Sequence, residues 1–513
     1  MAQDVAQRVV RNAAFIFGGR LWFLGLSLLL TPYLLSRLGA ELFGVWVLID
    51  ALVRTIGLMD LGFGTSFVKH VAEYDARGDR EGVSGVFSAG MVFYAAVALS
   101  IILVAFFGMG SILAFFTIPA GLKESTRAVF VVAIAASLSA NFLGVYHSIM
   151  NGLQRMGLTN GIMVLISGCY AAGCVIALES GYGIVGLAVN QLLSQWIGIV
   201  VSVFAARRVY PGLKFRLENL RRHVSTLFQY GFNLHVSNIA ALVNFYMDKL
   251  LVNRFIDASH VAFYEIGSKP PATARSFAVL ILSALTPATS EIEVREGRER
   301  LYQVFCKVSR FVSVLAFPLF IGAVVISGPL VEAWVGGGYG LSVTAMRVLS
   351  VGYLFYSFAG PVTPLVQGMG RPQVQRNAET LSLMLNIVLS VILISRFGFN
   401  GAAAGTAIAI AISATYYLSA FHRLMGRPLL PFVAGTYLKP AACALLAAVV
   451  GGLLVSVLAP RASGDRLLSL GVVVAVGAIF AGVYSVLILK WGYLEKEDVG
   501  MIRRYLSIRR LVR

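Results

Sequence analysis

Long apolar runs separated by short polar loops extend over almost the whole chain. Because a helix needs about 20 consecutive apolar residues to cross a bilayer, the pattern predicts an all-α polytopic membrane protein with about fourteen transmembrane helices. The runs lie near residues 12–36, 40–67, 83–108, 127–150, 157–178, 182–206, 225–252, 258–288, 304–327, 342–367, 377–396, 400–421, 433–458 and 466–489.

The composition supports the same interpretation and excludes a sizeable soluble domain. Hydrophobic residues make up 58% of the 513 residues and charged residues only 13%, whereas soluble domains average about 45–50% and about 25%. The longest charged stretch, residues 205–225, has the length of a loop. The net charge of +18 would suggest a nucleic-acid partner in a soluble protein, but here its distribution predicts topology instead.

Lysine and arginine residues are concentrated in alternate loops. With the N-terminus placed inside, the inner segments hold 28 of them and the outer segments 7. The positive-inside rule therefore predicts an even number of spans with both termini in the cytoplasm. Anionic membrane lipids are the partners that this charge predicts, and no nucleic acid is expected.

Three landmarks recur at nearly one offset and predict an internal repeat. The equivalent pairs are Trp46 and Tyr264 at 218, Gly152 and Gly368 at 216, and Gly181 and Gly398 at 217. They predict two six-helix lobes in the same orientation, plus two C-terminal helices, with a substrate site between the lobes and alternating access. The predicted boundaries are 1–206 and 225–424 for the lobes, 207–224 for a basic linker, 425–491 for the extra helices and 492–513 for a basic tail.

Charged residues inside the predicted spans are candidates for function, because each costs about 2.5–3.5 kcal/mol at the bilayer centre. The basic ones predicted to line a cationic cavity for a phosphate or another anion are Arg20, Arg54, Lys269 and Arg275. Two of them have an acid four residues earlier, Asp50 and Glu265, a spacing at which side chains can pair on one helix face. In the alternative interpretation, each pair neutralises itself and merely permits insertion.

Other residues in these spans carry further expectations. Asp60, Asp248 and Glu265 are candidates for binding a coupling cation or proton. Pro270 and Pro271 directly follow Lys269 and predict a break in that helix. The sequence has no Walker A motif, no His/Glu metal motif and no large outer loop with clustered carboxylates. We therefore expect no catalytic residues, no cofactor and no metal site.

Several motifs resemble those of polysaccharide transporter proteins, a family of lipid-linked oligosaccharide flippases. The N-terminal ones are Leu38-Gly39, Phe43-Gly44-Val45-Trp46, Met59-Asp60-Leu61-Gly62-Phe63-Gly64, Glu73-Tyr74 and Arg77-Gly78-Asp79. Those further along are Gly152 to Arg155, Tyr246 to Val252 with Tyr264, and Gly368 to Arg371. The resemblance covers most of the chain and is weakest in the last two spans.

This resemblance implies a fold and a function. The family is part of a superfamily with multidrug/cation antiporters and lipid II flippases, and implies fourteen spans, two six-helix lobes and a V-shaped cavity. It also implies that basic residues on helices one, two and eight hold the lipid pyrophosphate. The basic residues on these helices are Arg20, Arg54 and Lys269 or Arg275.

The function implied is a flippase of the bacterial inner membrane. It would move an undecaprenyl-pyrophosphate-linked oligosaccharide from the inner to the outer leaflet, for O-antigen, capsule or exopolysaccharide export. A polysaccharide polymerase is a further candidate partner. The alternatives are a cation-coupled multidrug antiporter, which favours an anionic cavity, a membrane glycosyltransferase or polymerase, and a non-transporting scaffold for polymer assembly.

Overall fold

A computed structural model describes residues 2–57, 63–216, 218, 220–221, 223–224, 246–283 and 286–493. Within these ranges the chain forms helices and no strand, so the predicted all-α fold is confirmed. The helices are α1 (Ala2–Gly57), α2 (Phe63–Ala76), α3 (Arg80–Phe115), α4 (Lys123–Gly152), α5 (Met156–Glu179), α6 (Gly183–Val209), α7 (Ala258–Ser283), α8 (Thr286–Val335), α9 (Gly340–Ala359), α10 (Val362–Gly368), α11 (Pro372–Phe397), α12 (Phe399–Met425), α13 (Leu429–Ala462) and α14 (Arg466–Lys490). Residues 246–255 form a further helical segment.

The polytopic character of the chain is also confirmed. Eleven stretches of helix in the described residues are long and apolar enough to cross a membrane. One of them, Gly18–Thr55, covers most of the first predicted span and the first part of the second. Helix α7 is not among the eleven, since it carries three charged residues and two prolines near its middle. Most of the predicted seventh span, 225–252, lies outside the described residues.

Two glycines bend long helices where the chain must change direction. Gly39 in α1 has φ 73° and ψ 170°, and Gly297 in α8 has φ 80° and ψ −179°. Only glycine adopts this region readily, because a Cβ atom would clash with the backbone. The bend at Gly39 separates the first two predicted spans.

The prolines in α7 do not break it, contrary to the prediction. The helix runs without interruption from Ala258 to Ser283 through Pro270 and Pro271. The carbonyls that Pro270 and Pro271 leave without a donor are those of Ile266 and Gly267, four residues earlier. Helices in membranes tolerate such positions where neighbouring helices, side chains or water supply other partners.

Contacts within the chain divide it into two units, Met1–Ala262 and Phe263–Arg513. The boundaries predicted for the lobes, linker and tail stay a prediction. In the first unit, α4 packs against α1, α2, α3, α5 and α6, and α5 also packs against α1 and α6. A buried cluster that includes Phe67, Val71, Val83 and Val86 joins α2 to α3.

Part of the basic linker forms a strap, residues 212–216, on the first turns of α3. The Arg216 amide donates to the Ser88 hydroxyl at 2.7 Å, and its guanidinium pairs with Glu81 at 2.7 Å. The Lys214 amide donates to Ser84 at 3.4 Å. The chain that leaves α6 is therefore fixed to α3 within the first unit.

In the second unit, α11 and α12 approach each other closely at two glycines one helical turn apart. A Cβ atom on Gly401 would lie 2.0 Å from the Leu393 carbonyl oxygen, and one on Gly405 would lie 2.8 Å from the Ser390 amide nitrogen. Small residues at this spacing let helix backbones pack directly in membranes. The two C-terminal helices, α13 and α14, pack on α8 and on each other.

Candidate functional site

The first unit contains an arginine site that we call the Arg54 site, formed by Asp50, Arg54, Tyr170 and Tyr246. The Arg54 Nε atom donates to both Asp50 carboxylate oxygens, at 2.9 Å and 2.8 Å. The predicted i,i+4 pair is therefore present. Among the described residues, Asp50 is the only hydrogen-bond partner of Arg54. The Arg54 side chain is 51% exposed, so its terminal N–H groups are accessible to a ligand.

Tyrosines on two other helical segments surround this arginine. Tyr170 of α5 and Tyr246 of the segment 246–255 are both close enough to act on Arg54 electrostatically. The Asn190 amide on α6 donates to the Tyr170 carbonyl at 2.8 Å, which fixes α5 at this level. On the other side, Leu48 and Ala51 of α1 pack on Leu250 in a buried cluster that includes Tyr246 at its edge.

The second unit contains a site that we call the Arg275 site, formed by Arg275, Tyr353, Tyr356 and Glu379. The Arg275 guanidinium carbon lies 4.4 Å from the ring centroid of Tyr356 and 5.4 Å from that of Tyr353. Glu379 on α11 is close enough to act on Arg275 electrostatically. Three helices, α7, α9 and α11, therefore contribute to one cationic site.

Packing fixes the tyrosines and the acid of the Arg275 site. Tyr353 is only 5% exposed, and Tyr417 of α12, at 6%, lies near both Tyr356 and Glu379. The Tyr417 hydroxyl donates to the Thr363 hydroxyl at 3.4 Å, which connects α12 to α10. The two rings and the guanidinium of Arg275 therefore lie together as a cation–π group.

The second predicted ion pair is also formed. The Lys269 Nζ atom lies 3.4 Å from Glu265 Oε1, and the two side chains are 22% and 15% exposed. Lys269 precedes Arg275 by six residues on α7, about 9 Å along the helix axis. Helix α7 therefore carries two basic groups within two turns, one neutralised by an adjacent acid and one stacked on aromatic rings.

The other predicted residues lie in different surroundings. Arg20 is exposed on α1, near the place where the Trp22 indole donates to the Ser167 hydroxyl of α5 at 2.9 Å. Asp248 is buried, at 4% exposed, in the segment 246–255. Asp60 lies outside the described residues. That Arg20, Arg54, Lys269 and Arg275 line one cavity stays a prediction.

These geometries are suited to binding a phosphorylated ligand. A guanidinium presents parallel N–H donors that match two oxygens of a phosphate, and the neighbouring tyrosines offer flat surfaces and hydroxyls. Among the described residues, no group of three or more His, Cys, Asp or Glu side chains could hold a metal ion. The two sites consist of arginine, tyrosine and carboxylate groups, and an arginine can bind an anion through hydrogen bonds and charge.

Sequence reasoning missed the tyrosines and Glu379. Tyr353, Tyr356 and Glu379 lie more than 75 residues from Arg275 or on other helices, so no local spacing connects them to it. Glu379 lies in the run 377–396, close to its polar start, where a charged residue is expected at the end of a span and does not indicate a function. The three tyrosines on the last turns of α9 and the middle of α12 were the available signal, since tyrosine inside a span needs a polar partner.

Comparison with known proteins identifies relatives. Residues 9–293 match the polysaccharide biosynthesis protein family. The chain is 24% identical to the probable low-salt glycan biosynthesis flippase Agl15 of Haloferax volcanii, over 80% of this chain and 82% of that protein. It is 23% identical to a putative O-antigen transporter of Shigella flexneri, over 74% of this chain and 90% of the relative.

Solved structures show the same fold. The lipid II flippase MurJ in an inward closed conformation superposes with a TM-score of 0.71 at 15% identity, over 94% of this chain and 99% of MurJ. An inward-facing multidrug resistance transporter of the MATE family, in the MOP superfamily, superposes with a TM-score of 0.70 at 16% identity, over 79% and 94% of the two chains. At these identities the likeness shows the fold alone.

Proposed function

The chain belongs to the polysaccharide biosynthesis protein family, and on that premise we propose that it is a flippase for a lipid-linked oligosaccharide. The proposed substrate is an undecaprenyl-pyrophosphate-linked oligosaccharide, moved from the inner to the outer leaflet of a bacterial inner membrane by alternating access. The proposed process is O-antigen, capsule or exopolysaccharide export. The names of the relatives in Haloferax volcanii and Shigella flexneri favour this substrate class.

The observation that carries the proposal is the Arg275 site. Its guanidinium is packed between helices, with Tyr356 at 4.4 Å and Tyr353 at 5.4 Å. A half-buried cation in a membrane protein costs free energy, and such residues are therefore usually retained for a function. The role proposed for Arg275 is to supply positive charge to the pyrophosphate, with Tyr356 holding the guanidinium in place. The same argument applies to the Arg54 site, where Asp50 accepts hydrogen bonds from the Nε atom of Arg54.

The remaining parts of the proposal concern topology and partners. We place both termini in the cytoplasm from the distribution of basic residues. Residues 1–206 and 225–424 are the proposed six-helix lobes, with 207–224 as a linker, 425–491 as the extra helices and 492–513 as a basic tail. Anionic lipids and a polysaccharide polymerase are proposed partners. No catalytic step or cofactor is part of the proposed mechanism.

The proposal is tested by measuring which leaflet holds the lipid-linked oligosaccharide in a strain lacking this protein. We expect the wild-type chain to restore outward exposure. Arg54→Gln and Arg275→Gln should reach the membrane at normal levels but reduce exposure at least tenfold, because a hydrogen bond to a charged group contributes about 1.5–3 kcal/mol. Arg396→Gln is the matched control, since Arg396 is an exposed arginine at the end of α11.

The outcomes separate the candidate functions. Equal exposure with and without the protein would overturn the flippase proposal. In that case the same variants are tested for efflux of a cationic drug, where loss of an arginine would not reduce transport. Polymer made normally by a transport-inactive double variant would favour a scaffold role.

A further inference from the structure

A groove of about 500 Å³ lies in the second unit. It is lined by the last turns of α8, the glycine-rich residues 336–340, the start of α9 and the last turns of α13. Residues 336–339 connect α8 to α9, and residues 463–465 connect α13 to α14. Since loops between spans lie at the membrane surface, the groove lies at the depth of lipid headgroups.

The groove has one basic side chain with free donors. Arg347 of α9 is exposed, and its Nε atom donates to the Ser327 hydroxyl of α8 at 2.7 Å. Ser327 in turn donates to the Val324 carbonyl at 2.8 Å, so its orientation is fixed. Among the described residues, Ser327 is the only hydrogen-bond partner of Arg347. Both terminal nitrogens of the guanidinium remain for a ligand.

The start of α9 adds backbone donors to the same groove. This helix has 20 residues, and Tyr339 at its N-cap position makes no side-chain hydrogen bond to the first turn. The amides of a helix N-terminus favour an anion. Gly337, Gly338 and Gly340 have no side chain that would cover them, and a Cβ atom at any of the three would meet nothing within 4 Å.

One acidic side chain lines the groove as well. The Glu332 carboxylate accepts one hydrogen bond, from the Gly464 amide at 2.6 Å. Glu332 follows Ser327 by five residues on α8, about 7.5 Å along the helix axis. Arg347 and Glu332 both line the groove, which therefore presents one positive and one negative group to a ligand.

Hydrogen bonds within the protein hold the elements that line the groove in place. The Arg466 guanidinium of α14 donates to the Val335 carbonyl at 3.0 Å, next to the glycine-rich loop. Glu332 and Gly464 connect α8 to the loop before α14. A preformed site binds with little ordering cost.

We propose that this groove binds the headgroup of an amine-bearing phospholipid of the bilayer. The phosphate would be held by Arg347 and the first amides of α9, and the primary ammonium would donate to Glu332. A quaternary ammonium has no N–H to donate, and a glycerol headgroup has no cation. The groove should therefore prefer phosphatidylethanolamine over phosphatidylcholine and phosphatidylglycerol.

The test is native mass spectrometry of the full-length protein in detergent, titrated with each of the three lipids and with undecaprenyl phosphate. We expect wild type to retain one phosphatidylethanolamine with at least fivefold tighter binding than phosphatidylcholine. Glu332→Gln keeps the acceptor for Gly464 and should remove this preference while still binding phosphate. Arg347→Gln should weaken all the phospholipids. Arg461→Gln is the control, because Arg461 is exposed at the same end but does not line the groove.

Each result decides the proposal independently of transport. Equal retention of the three phospholipids by wild type would overturn it, as would unchanged preference in Glu332→Gln. A loss of undecaprenyl phosphate binding in Glu332→Gln would also overturn it, because that lipid has no ammonium that could donate to Glu332. If Arg347→Gln does not fold, Glu332→Gln still separates the lipids. The protein can show this lipid preference even if the transport assay above gives a negative result.

Discussion

At the scale of single residues, this chain keeps its intramembrane cations in two kinds of surroundings. Arg54 and Lys269 each have an acid four residues earlier, whereas Arg275 lies against Tyr353 and Tyr356. An i,i+4 pair can be read in the sequence because its geometry is local. A ring stacked on a cation from another helix cannot, because it depends on packing between segments far apart in the chain.

The Asp50–Arg54 pair allows insertion to be separated from ligand binding. Asp50→Asn combined with Arg54→Gln removes both charges, so the helix inserts without the cost of an unpaired charge. We expect this double variant to reach the membrane with the thermal stability of wild type but to lose at least tenfold in flipping rate. The measurement is the transfer of a fluorescent lipid-linked oligosaccharide across proteoliposomes.

The informative alternative is a wild-type rate in the double variant. It would mean that the pair serves only to neutralise itself during insertion, and that Arg54 does not bind the pyrophosphate. The single variant Asp50→Asn is measured alongside it, because it leaves Arg54 charged without its carboxylate partner.

At the scale of helices, apolar runs predicted the elements well and their junctions less well. The bends at Gly39 and Gly297 join segments that a hydropathy pattern separates, because glycine lets a helix change direction without a loop. Helix α7 continues through two prolines, which a rule based on proline alone does not predict. The paired glycines of α12 could have been recognised from their spacing of four.

The close approach of α11 and α12 predicts an unusual sensitivity to one methyl group. Gly401→Ala places a Cβ atom 2.0 Å from the Leu393 carbonyl oxygen, so the helices must separate. We expect the free energy of unfolding to fall by about 2 kcal/mol, the scale of an overpacked core. The melting temperature in detergent should fall with it. Gly471→Ala in α14 is the matched control, because its Cβ atom would meet nothing within 4 Å.

The two substitutions should change the melting temperature in opposite directions, or Gly471→Ala should leave it unchanged. Alanine is favoured over glycine in a helix by about 1 kcal/mol, so Gly471→Ala should leave the melting temperature unchanged or raise it. Equal melting temperatures for the two variants would show that α11 and α12 do not pack as closely as described.

At the scale of the whole molecule, the all-α polytopic fold could be predicted because a bilayer requires long apolar helices and allows few alternatives. The family resemblance correctly indicated a fold shared with the flippase MurJ and the MATE transporters. The two lobes predicted from the repeat offset near 217 stay a prediction. Ligand-binding geometry was harder to predict, because Glu379 and the tyrosines come from three helices of one unit. The charge distribution predicts orientation, which helix packing alone does not determine.

Orientation is tested by cysteine labelling from outside intact cells. After Cys169 and Cys306, the two half-buried cysteines, are replaced by serine, single cysteines are introduced at Asp75 and Ser463, both exposed. We expect Ser463→Cys to react with an impermeant maleimide and Asp75→Cys to react only after lysis. Reversed labelling would place both termini outside and would require the direction of transport to be reconsidered.

The strap on α3 has a consequence for how the protein is made. Residues 212–216 are hydrogen-bonded to Ser84 and Ser88, so these contacts need no residue beyond 216. A ribosome synthesises the chain from the N-terminus, and domains generally fold as units in that order. The first six helices can therefore be fastened by their own outgoing linker while most of the second unit is still to be translated. We expect these contacts to stabilise the first unit during synthesis, and not only in the finished protein.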